Sequence, residues 1–121
     1  MSEDKQEGQL NIVTEKVSKA SVLRLSGCVE IDSSPGLRQV LHELWKAKSP
    51  AVVIDLSAVE HVDTSGLATF IECAQELKKH GGRLILSGAS KGIRGRIALA
   101  QLETYFTVLD TFADALASLE E

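Results

Sequence analysis

The first periodic pattern in the chain is an alternation of residues that would face the core with residues that would face solvent. Leu10, Ile12 and Thr14 alternate with Asn11, Val13 and Glu15. This alternation predicts a half-buried strand over residues 10–15. Residues 16–20 are predicted to form a turn, and residues 21–25 to form a second strand that ends at Ser26-Gly27. These elements together predict an antiparallel hairpin.

Helical periodicity begins after residues 32–35, whose hydroxyls and proline indicate a helix start. Ser49-Pro50 ends this helix, and three further helices are predicted near Gly66, from about Ser90 to Leu102, and after Asp110. Apolar residues recur in each helix at helical spacing. The predicted inward residues are Leu37, Val40, Leu41, Leu44 and Trp45; Leu67, Phe70, Ile71, Ala74 and Leu77; Ile93, Ile97 and Ala100; and Phe112, Leu116 and Leu119.

Three apolar strands separate these helices. Residues 51–56 are apolar on both faces, which is typical of a central parallel strand, and residues 84–86 and 108–109 follow as shorter strands. The order β-β-α-β-α-β-α-β-α predicts an α/β domain with right-handed crossovers. We expect a mixed, mostly parallel sheet of four to five strands with about four helices, spanning residues 9–121 after a flexible tail of residues 1–8.

Several polar groups meet where the second helix begins, in Asp63-Thr64-Ser65-Gly66-Leu67. A helix N-terminus offers free backbone N–H groups and favours negative charge. Either a hydroxyl caps the helix, or Asp63 is the cap and leaves a hydroxyl facing solvent. Because the carboxyl ends of parallel strands share one edge, we expect this segment to lie near Gly88-Ala89-Ser90-Lys91.

Composition narrows the function classes. The chain has 121 residues, of which 44% are hydrophobic, and a net charge of −4, which suits one domain and argues against nucleic-acid binding. No run approaches the roughly 20 apolar residues of a membrane span, and the polar N-terminus lacks a signal core. Cys28 and Cys73 are interpreted as free thiols of a cytoplasmic protein, with a single disulfide in an exported domain as the alternative.

Catalytic and metal-binding patterns are weak. A hydrolytic triad around Ser65 lacks the G-x-S-x-G elbow, and its candidate base, His61, lies just upstream on the same predicted loop. The other histidines, His42 and His80, have no metal-ligand spacing. We therefore predict no catalytic residue, no metal and no cofactor.

A basic segment follows the predicted strand of residues 84–86. It carries Lys91, Arg94 and Arg96 among three glycines but matches no phosphate-binding motif. It is interpreted as a helix start with a solvated basic face. The functional alternative is a basic rim that meets an acidic partner or a phosphate on the neighbouring loop.

Five segments resemble one known family. The strand 53–57 ending in Asp-Leu-Ser, followed by a short loop and residues 63–67, resembles the STAS domain of bacterial anti-sigma factor antagonists. The helix stop at 78–82, the strand 84–86 and the end of the second strand at 25–27 also match. The resemblance extends from about residue 10 to residue 119.

This resemblance implies a regulatory protein without catalytic activity of its own. It implies that the chain binds an anti-sigma factor with serine kinase activity, releases a sigma factor, and is phosphorylated on Ser65, with Thr64 as the alternate acceptor. A phosphatase reverses the modification. We expect a monomer or weak dimer that neither binds nucleic acid nor inserts into a membrane. The predicted partner-binding residues are Glu30, Asp63, Thr64, Ser65, Gly66, Leu67, Ser90, Lys91 and Arg94.

Two further expectations depend on this resemblance. Many members have aspartate where this chain has Glu30, so the carboxylate is kept but lengthened. Lys91 or Arg94 is predicted to steady a phosphate on Ser65. The alternative function is that of an accessory subunit in a lipid-transport ABC system, in which Thr64 contacts the ATPase and Ser65 is a bystander.

Overall fold

The computed structural model describes residues 9–120, so the predicted tail of residues 1–8 lies outside the described part. Within that part the chain forms five strands, four α-helices and one short 3-10 turn. They follow in the order β1 (Leu10–Val17), β2 (Ala20–Val29), α1 (Ser34–Lys46), β3 (Ala51–Val62), α2 (Thr64–Lys78), β4 (Arg83–Ser87), α3 (Lys91–Leu99), the 3-10 turn (Leu102–Thr104), β5 (Thr107–Leu109) and α4 (Phe112–Ser118).

One sheet holds all five strands in the spatial order β1-β2-β3-β4-β5. β1 is antiparallel to β2, whereas the pairs β2–β3, β3–β4 and β4–β5 are parallel. Because each parallel strand lies directly beside its predecessor, right-handed crossovers place α1, α2 and α3 on the same face. The predicted fold class, a mixed and mostly parallel α/β sheet with four helices, is confirmed.

The two faces of the sheet are covered unequally. The larger core lies under α1, α2 and α3 and is centred on residues such as Leu23, Ile54 and Phe70. On the opposite face α4 covers a small cluster: Val22, Val53, Ile85 and Ala115. This arrangement confirms that residues 51–56 of β3 are buried on both faces.

The strands are longer than their hydrophobic patterns predict. β1 continues to Val17, which pairs with Ala20, so the predicted turn of residues 16–20 shrinks to two residues. β2 does not end at Ser26-Gly27 but runs to Val29, with register shifts on either side of these residues. A glycine is needed there because its φ is +108° and an added Cβ would lie 2.1 Å from Gln9 O.

β3 shows the largest difference. It does not end near residue 56 but continues to Val62, and Cys28 and Val29 of β2 pair with His61 and Val62. Residues 57–62, predicted as a loop, are therefore strand. Pairing with β2 satisfies the backbone N–H and C=O groups of this segment. Several of its side chains are exposed, so polar residues are tolerated there.

The helices follow their predicted faces with two exceptions. Ile93 and Ile97 are buried as predicted, but α3 ends at Leu99 and leaves Ala100 exposed. Gln101 adopts a left-handed conformation, with φ of 58°, which ends the helical path before Leu102. In the short helix α4 the buried residue is Ala115; the three residues predicted to point inward are half-buried: Phe112, Leu116 and Leu119.

Both cysteines are free thiols. Cys73 is buried, and desolvation, followed by the nearby Glu72 carboxylate, raises the pKa of its thiol to about 12. Desolvation also raises the pKa of the half-buried Cys28 thiol. No helix in residues 9–120 combines the length and apolarity needed to cross a membrane.

Candidate functional site

Asp63 is the residue that caps α2. Its Oδ1 accepts a hydrogen bond from Gly66 N at 3.0 Å, and its Oδ2 accepts one from Ile31 N at 3.1 Å. The hydroxyl of Ser65 donates to Oδ1 at 2.6 Å. This Ser65 bond, followed by the backbone N–H groups of Gly66, Ile31 and Ser65, lowers the pKa of the Asp63 carboxyl against the opposing effect of desolvation. Of the two capping alternatives, the structure selects the carboxylate.

Ser65 is the second residue of α2, and its hydroxyl is held on two sides. Besides its bond to Asp63, Ser65 Oγ lies 2.9 Å from the Oγ of Ser34, the first residue of α1. Ser65 is half-buried, so its hydroxyl is not the free, solvent-facing group expected when Asp63 caps the helix. The hydroxyl therefore lies between the N-terminal ends of two helices.

The parallel pairing of β2 and β3 explains why these helix ends meet. Val29 and Val62 are partners at the ends of their strands, and Asp63 N donates to Val29 O at 3.0 Å. The turn after β2 is consequently fixed beside the start of α2. Glu30 O accepts from Ser34 N at 2.7 Å, which begins α1 at this point.

Gly66 allows α2 to approach the sheet closely. An added Cβ would lie 2.7 Å from Val29 Cγ1, 2.8 Å from Val62 Cγ1 and 3.0 Å from Val29 O. Both valines are β-branched and stiff, and the third atom is backbone. The glycine of the motif is therefore a packing requirement that sets the height of Ser65 over the sheet.

Thr64 is exposed and borders an apolar groove between α2 and α3. The groove has a volume of about 510 Å³. Its wall includes Leu99, which is 88% exposed. Its lining comprises Thr64, Leu67, Ala68, Ile71, Arg96, Leu99, Ala100 and Leu102.

Two exposed apolar side chains that flank the site did not emerge from the sequence pattern. They are Leu99 and Ile31, and Ile31 is 73% exposed while its backbone N–H binds Asp63. The signal for Leu99 is its position outside the face defined by Ile93 and Ile97. Ile31 has no comparable signal, since it stands alone in a polar turn.

The segment after β4 contacts β3 at its start and borders the groove beside Thr64 at its end. Gly88 is close to Asp55 and Ser57 because β3 continues well beyond the end of β4, and the part of α3 that reaches Thr64 is its C-terminal half. The proximity of the Gly88–Lys91 loop to Asp63 stays a prediction, whereas α3 meets Thr64 at the groove.

The basic side chains of α3 have separate surroundings. Ser90 caps α3 by accepting from Ile93 N at 3.3 Å, and Lys91 is exposed. Arg94 forms an ion pair with Asp110. The cation in the groove with Thr64 is instead Arg96. The roles of Ser90, Lys91 and Arg94 in partner or phosphate binding stay predictions.

Glu30 and His61 lie beside each other at the same edge. His61 Nε2 is 4.0 Å from Glu30 Oε2, and both side chains are partly exposed. His61 is on β3 rather than on a loop with Ser65, whose side-chain partners in the described residues are Asp63 and Ser34. Within residues 9–120 no three His, Cys, Asp or Glu side chains are grouped to hold a metal ion.

Three solved structures share this architecture. An anti-sigma factor antagonist from Mycobacterium paratuberculosis is 28% identical, with a TM-score of 0.86 over 94% of this chain and 97% of that chain. The Bacillus cell fate determinant SpoIIAA in its phosphorylated form is 19% identical, with a TM-score of 0.73 over 90% and 99% of the two chains. A sulfate transporter family protein from Wolinella succinogenes is 20% identical, with a TM-score of 0.75 over 86% and 87%.

At these identities, the second and third of these structures show a shared fold alone. The family model of the STAS domain matches residues 11–115, which include all five strands apart from the first residue of β1, and the site around Ser65. The resemblance of the motif and the arrangement of the sheet thus lead to the same family. This chain belongs to the STAS domain family.

Proposed function

We propose that this STAS domain is an anti-sigma factor antagonist that is switched by phosphorylation of Ser65. Its unmodified form binds an anti-sigma factor with serine kinase activity and so releases a sigma factor. Phosphorylation by that kinase ends the binding, and a phosphatase restores it. The observation that carries this proposal is the Ser65 hydroxyl, held between two helix N-terminal ends at the edge of the sheet.

Similarity over nearly the whole chain supports the antagonist role. The antagonist from Mycobacterium paratuberculosis matches at 28% identity and covers 94% of this chain. A second relative of the same fold is described in its phosphorylated form. We propose that this chain acts likewise in the cytoplasm, as a monomer or weak dimer without enzymatic activity.

The local electrostatics support a switch that requires no refolding. A phosphate on Ser65 adds a charge of about −1.5 to −2 at neutral pH. The N-terminal ends of α1 and α2 both favour negative charge at this point, whereas Asp63 loses a hydrogen-bond donor and faces a second anion. The modification therefore changes the charge of the surface while the core beneath it stays in place.

The surface around Ser65 has the character of a protein interface. Ile31 is exposed and its backbone N–H binds Asp63, while Leu99 is exposed in the apolar groove that Thr64 borders. Apolar side chains near the centre of an interface carry much of its binding energy. A new charge on Ser65 would face groups of a partner that were matched to a hydroxyl.

The proposal is tested by the affinity of Ser65→Ala and Ser65→Asp variants for the cognate anti-sigma factor. We expect Ser65→Ala to bind and Ser65→Asp to bind at least about tenfold more weakly, since unfavourable charge at an interface costs several kcal/mol and about 1.4 kcal/mol is tenfold. Calorimetry gives both constants. Equal affinities of the two variants would refute the switch.

Incubation with ATP and the anti-sigma factor identifies the acceptor by mass spectrometry. We expect one phosphate on Ser65, none on Ser65→Ala, and full modification of the matched control Thr64→Ala. Phosphate on Thr64 in the protein without substitutions would instead make Thr64 the regulated residue. Circular dichroism of each variant verifies that its fold is intact.

A specific observation also favours the second candidate function. Thr64 is exposed and lines the groove between α2 and α3, where an ATPase helix of a lipid-transport ABC system would contact it. In that assembly Ser65 would be a bystander. Neighbouring permease and ATPase genes would favour this function, whereas a kinase-like anti-sigma gene would favour the antagonist.

A further inference from the structure

The direction of the hydrogen bonds around Ser65 follows from proton counting. A serine hydroxyl has one proton and two acceptor lone pairs. The Asp63 carboxyl, whose pKa lies below its usual value, is ionised near neutral pH and only accepts, so the Ser65 proton points to Asp63 Oδ1 at 2.6 Å. Ser34 must then be the donor in its 2.9 Å contact with Ser65 Oγ.

Ser34 is fixed in this orientation by its surroundings. It is 6% exposed, and its backbone N donates to Glu30 O at 2.7 Å. Its side chain is not needed for capping, since the N-cap position of α1 is Ser33, whose hydroxyl instead donates to Cys28 O at 2.8 Å. Among residues 9–120 the hydrogen-bond partner of the Ser34 hydroxyl is Ser65.

We propose that Ser34 is a positioning residue for the phosphorylation of Ser65 and the hydrogen-bond donor that holds the resulting phosphate. This inference rests on Ser65 being the acceptor under the proposed function. Ser34 occupies one lone pair of Ser65 Oγ, which leaves the other lone pair to attack. The orientation of the nucleophile is thereby set before a kinase binds.

The transfer step itself is conventional. Ser65 Oγ attacks the γ-phosphorus of ATP, an Oγ–P bond forms, and the bond from phosphorus to the ADP oxygen breaks. The hydroxyl proton leaves by way of Asp63 Oδ1, to which it is already hydrogen-bonded, and passes to solvent. ADP and phosphoserine are the products.

The modification affects the two neighbours of Ser65 in opposite ways. The ester oxygen carries no proton, so Asp63 loses the hydroxyl donor of Ser65, whereas Ser34 keeps its proton and is close enough to give it to a phosphate oxygen. The Thr69 hydroxyl does not take over the role of Ser34 as donor to the phosphate, because it donates to the backbone oxygen of Ser65 at 2.9 Å. Among the described residues, Ser34 is therefore the side-chain donor to Ser65 Oγ that survives phosphorylation.

The full chain with phosphoserine placed at position 65 by genetic code expansion tests this inference without any kinase. A phosphorus NMR titration gives the second pKa of the phosphate. We expect Ser34→Ala to raise this pKa by about half a unit to one unit, because a hydrogen bond to the charged form is lost. Ser34→Thr keeps a hydroxyl and should retain the original pKa.

Ser33→Ala is the matched control, because it removes a neighbouring hydroxyl that does not bind Ser65. Equal phosphate pKa values in Ser34→Ala and Ser33→Ala would overturn the role of Ser34. If Ser34→Ala fails to fold, the Cβ carbon shift of Ser34 in the otherwise unsubstituted phosphoprotein decides: it should titrate with the phosphorus signal, and a flat profile would overturn the proposal. Neither result depends on whether an anti-sigma factor binds.

Discussion

At the scale of single residues, the site is defined by which groups donate hydrogen bonds to the Asp63 carboxylate. Asp63, Thr64 and Ser65 are all good capping residues, so their order in the sequence leaves the cap undecided. The choice of Asp63 depends on Ile31 N, which arrives from another turn and uses the second carboxylate oxygen. No pattern within α2 contains that information.

The pH dependence of stability should reveal the bond from Ser65 to Asp63. A carboxyl whose pKa is lowered in the folded state stabilises the fold above its unfolded pKa of about 3.9, and this contribution is lost as the pH falls through the folded value. Because Ser65 is the largest cause of the lowering, we expect Ser65→Ala to raise the Asp63 pKa and to lose less stability on acidification. Urea unfolding between neutral and acidic pH, with carboxyl carbon NMR of Asp63, measures both effects.

Thr64→Ala is the control for that comparison. Among the described residues, Thr64 makes no hydrogen bond to Asp63. Truncating its side chain should therefore leave the Asp63 pKa and the loss of stability at acidic pH unchanged. An Asp63 pKa that is the same in Ser65→Ala as in the parent protein would contradict the assigned cause.

At the scale of elements, the start of α2 is set by its close approach to β2 and β3. The helix, its apolar face and its stop at Gly81-Gly82 are visible in the sequence, since they depend on spacing along one segment. Its contact with Val29 and Val62 is not visible, because the end of β3 was predicted several residues too early. Polar residues paired with β2 obscured that part of the strand.

Gly66→Ala tests this close approach. Alanine normally favours a helix over glycine by about 1 kcal/mol, but here its Cβ would press on two stiff valines and a carbonyl oxygen. We expect a net loss of about 1–3 kcal/mol in the free energy of unfolding, the usual cost of overpacking. Urea denaturation measures this change.

Gly95→Ala is the matched control, because it also lies within a helix but an added Cβ would meet nothing within 4 Å. We expect it to stabilise the protein by roughly 0.5–1 kcal/mol. Equal effects of the two substitutions would show that α2 is not held in the tight position described.

At the scale of the whole molecule, the sheet divides the protein into a thick layer and a thin one. The layer under α1, α2 and α3 contains most of the buried apolar residues, whereas α4 covers a small cluster. The site at the edge of the sheet rests on the thick layer. Its geometry is therefore expected to persist when the surface charge changes.

Two phenylalanine substitutions should show this inequality. Phe70 is fully buried in the thick layer, and Phe70→Ala should cost about 3–5 kcal/mol of stability. Phe112 is half-buried in the thin layer with the Arg24 guanidinium 4.2 Å above its ring, so Phe112→Ala should cost roughly 1–2 kcal/mol. Denaturant unfolding of both variants provides the comparison, and similar losses would contradict a dominant layer.

The sequence by itself determined the order of strands and helices, their inward faces and the segment that carries the site. These properties are local, because hydrophobic period, caps and stops act within one element. Only the tertiary structure decided that β3 reaches Val62, that Asp63 is the cap, and that Ser34 meets Ser65 across 31 residues of sequence. Contacts of this kind depend on how far two strands stay paired, and that pairing is a property of the assembled sheet rather than of either strand.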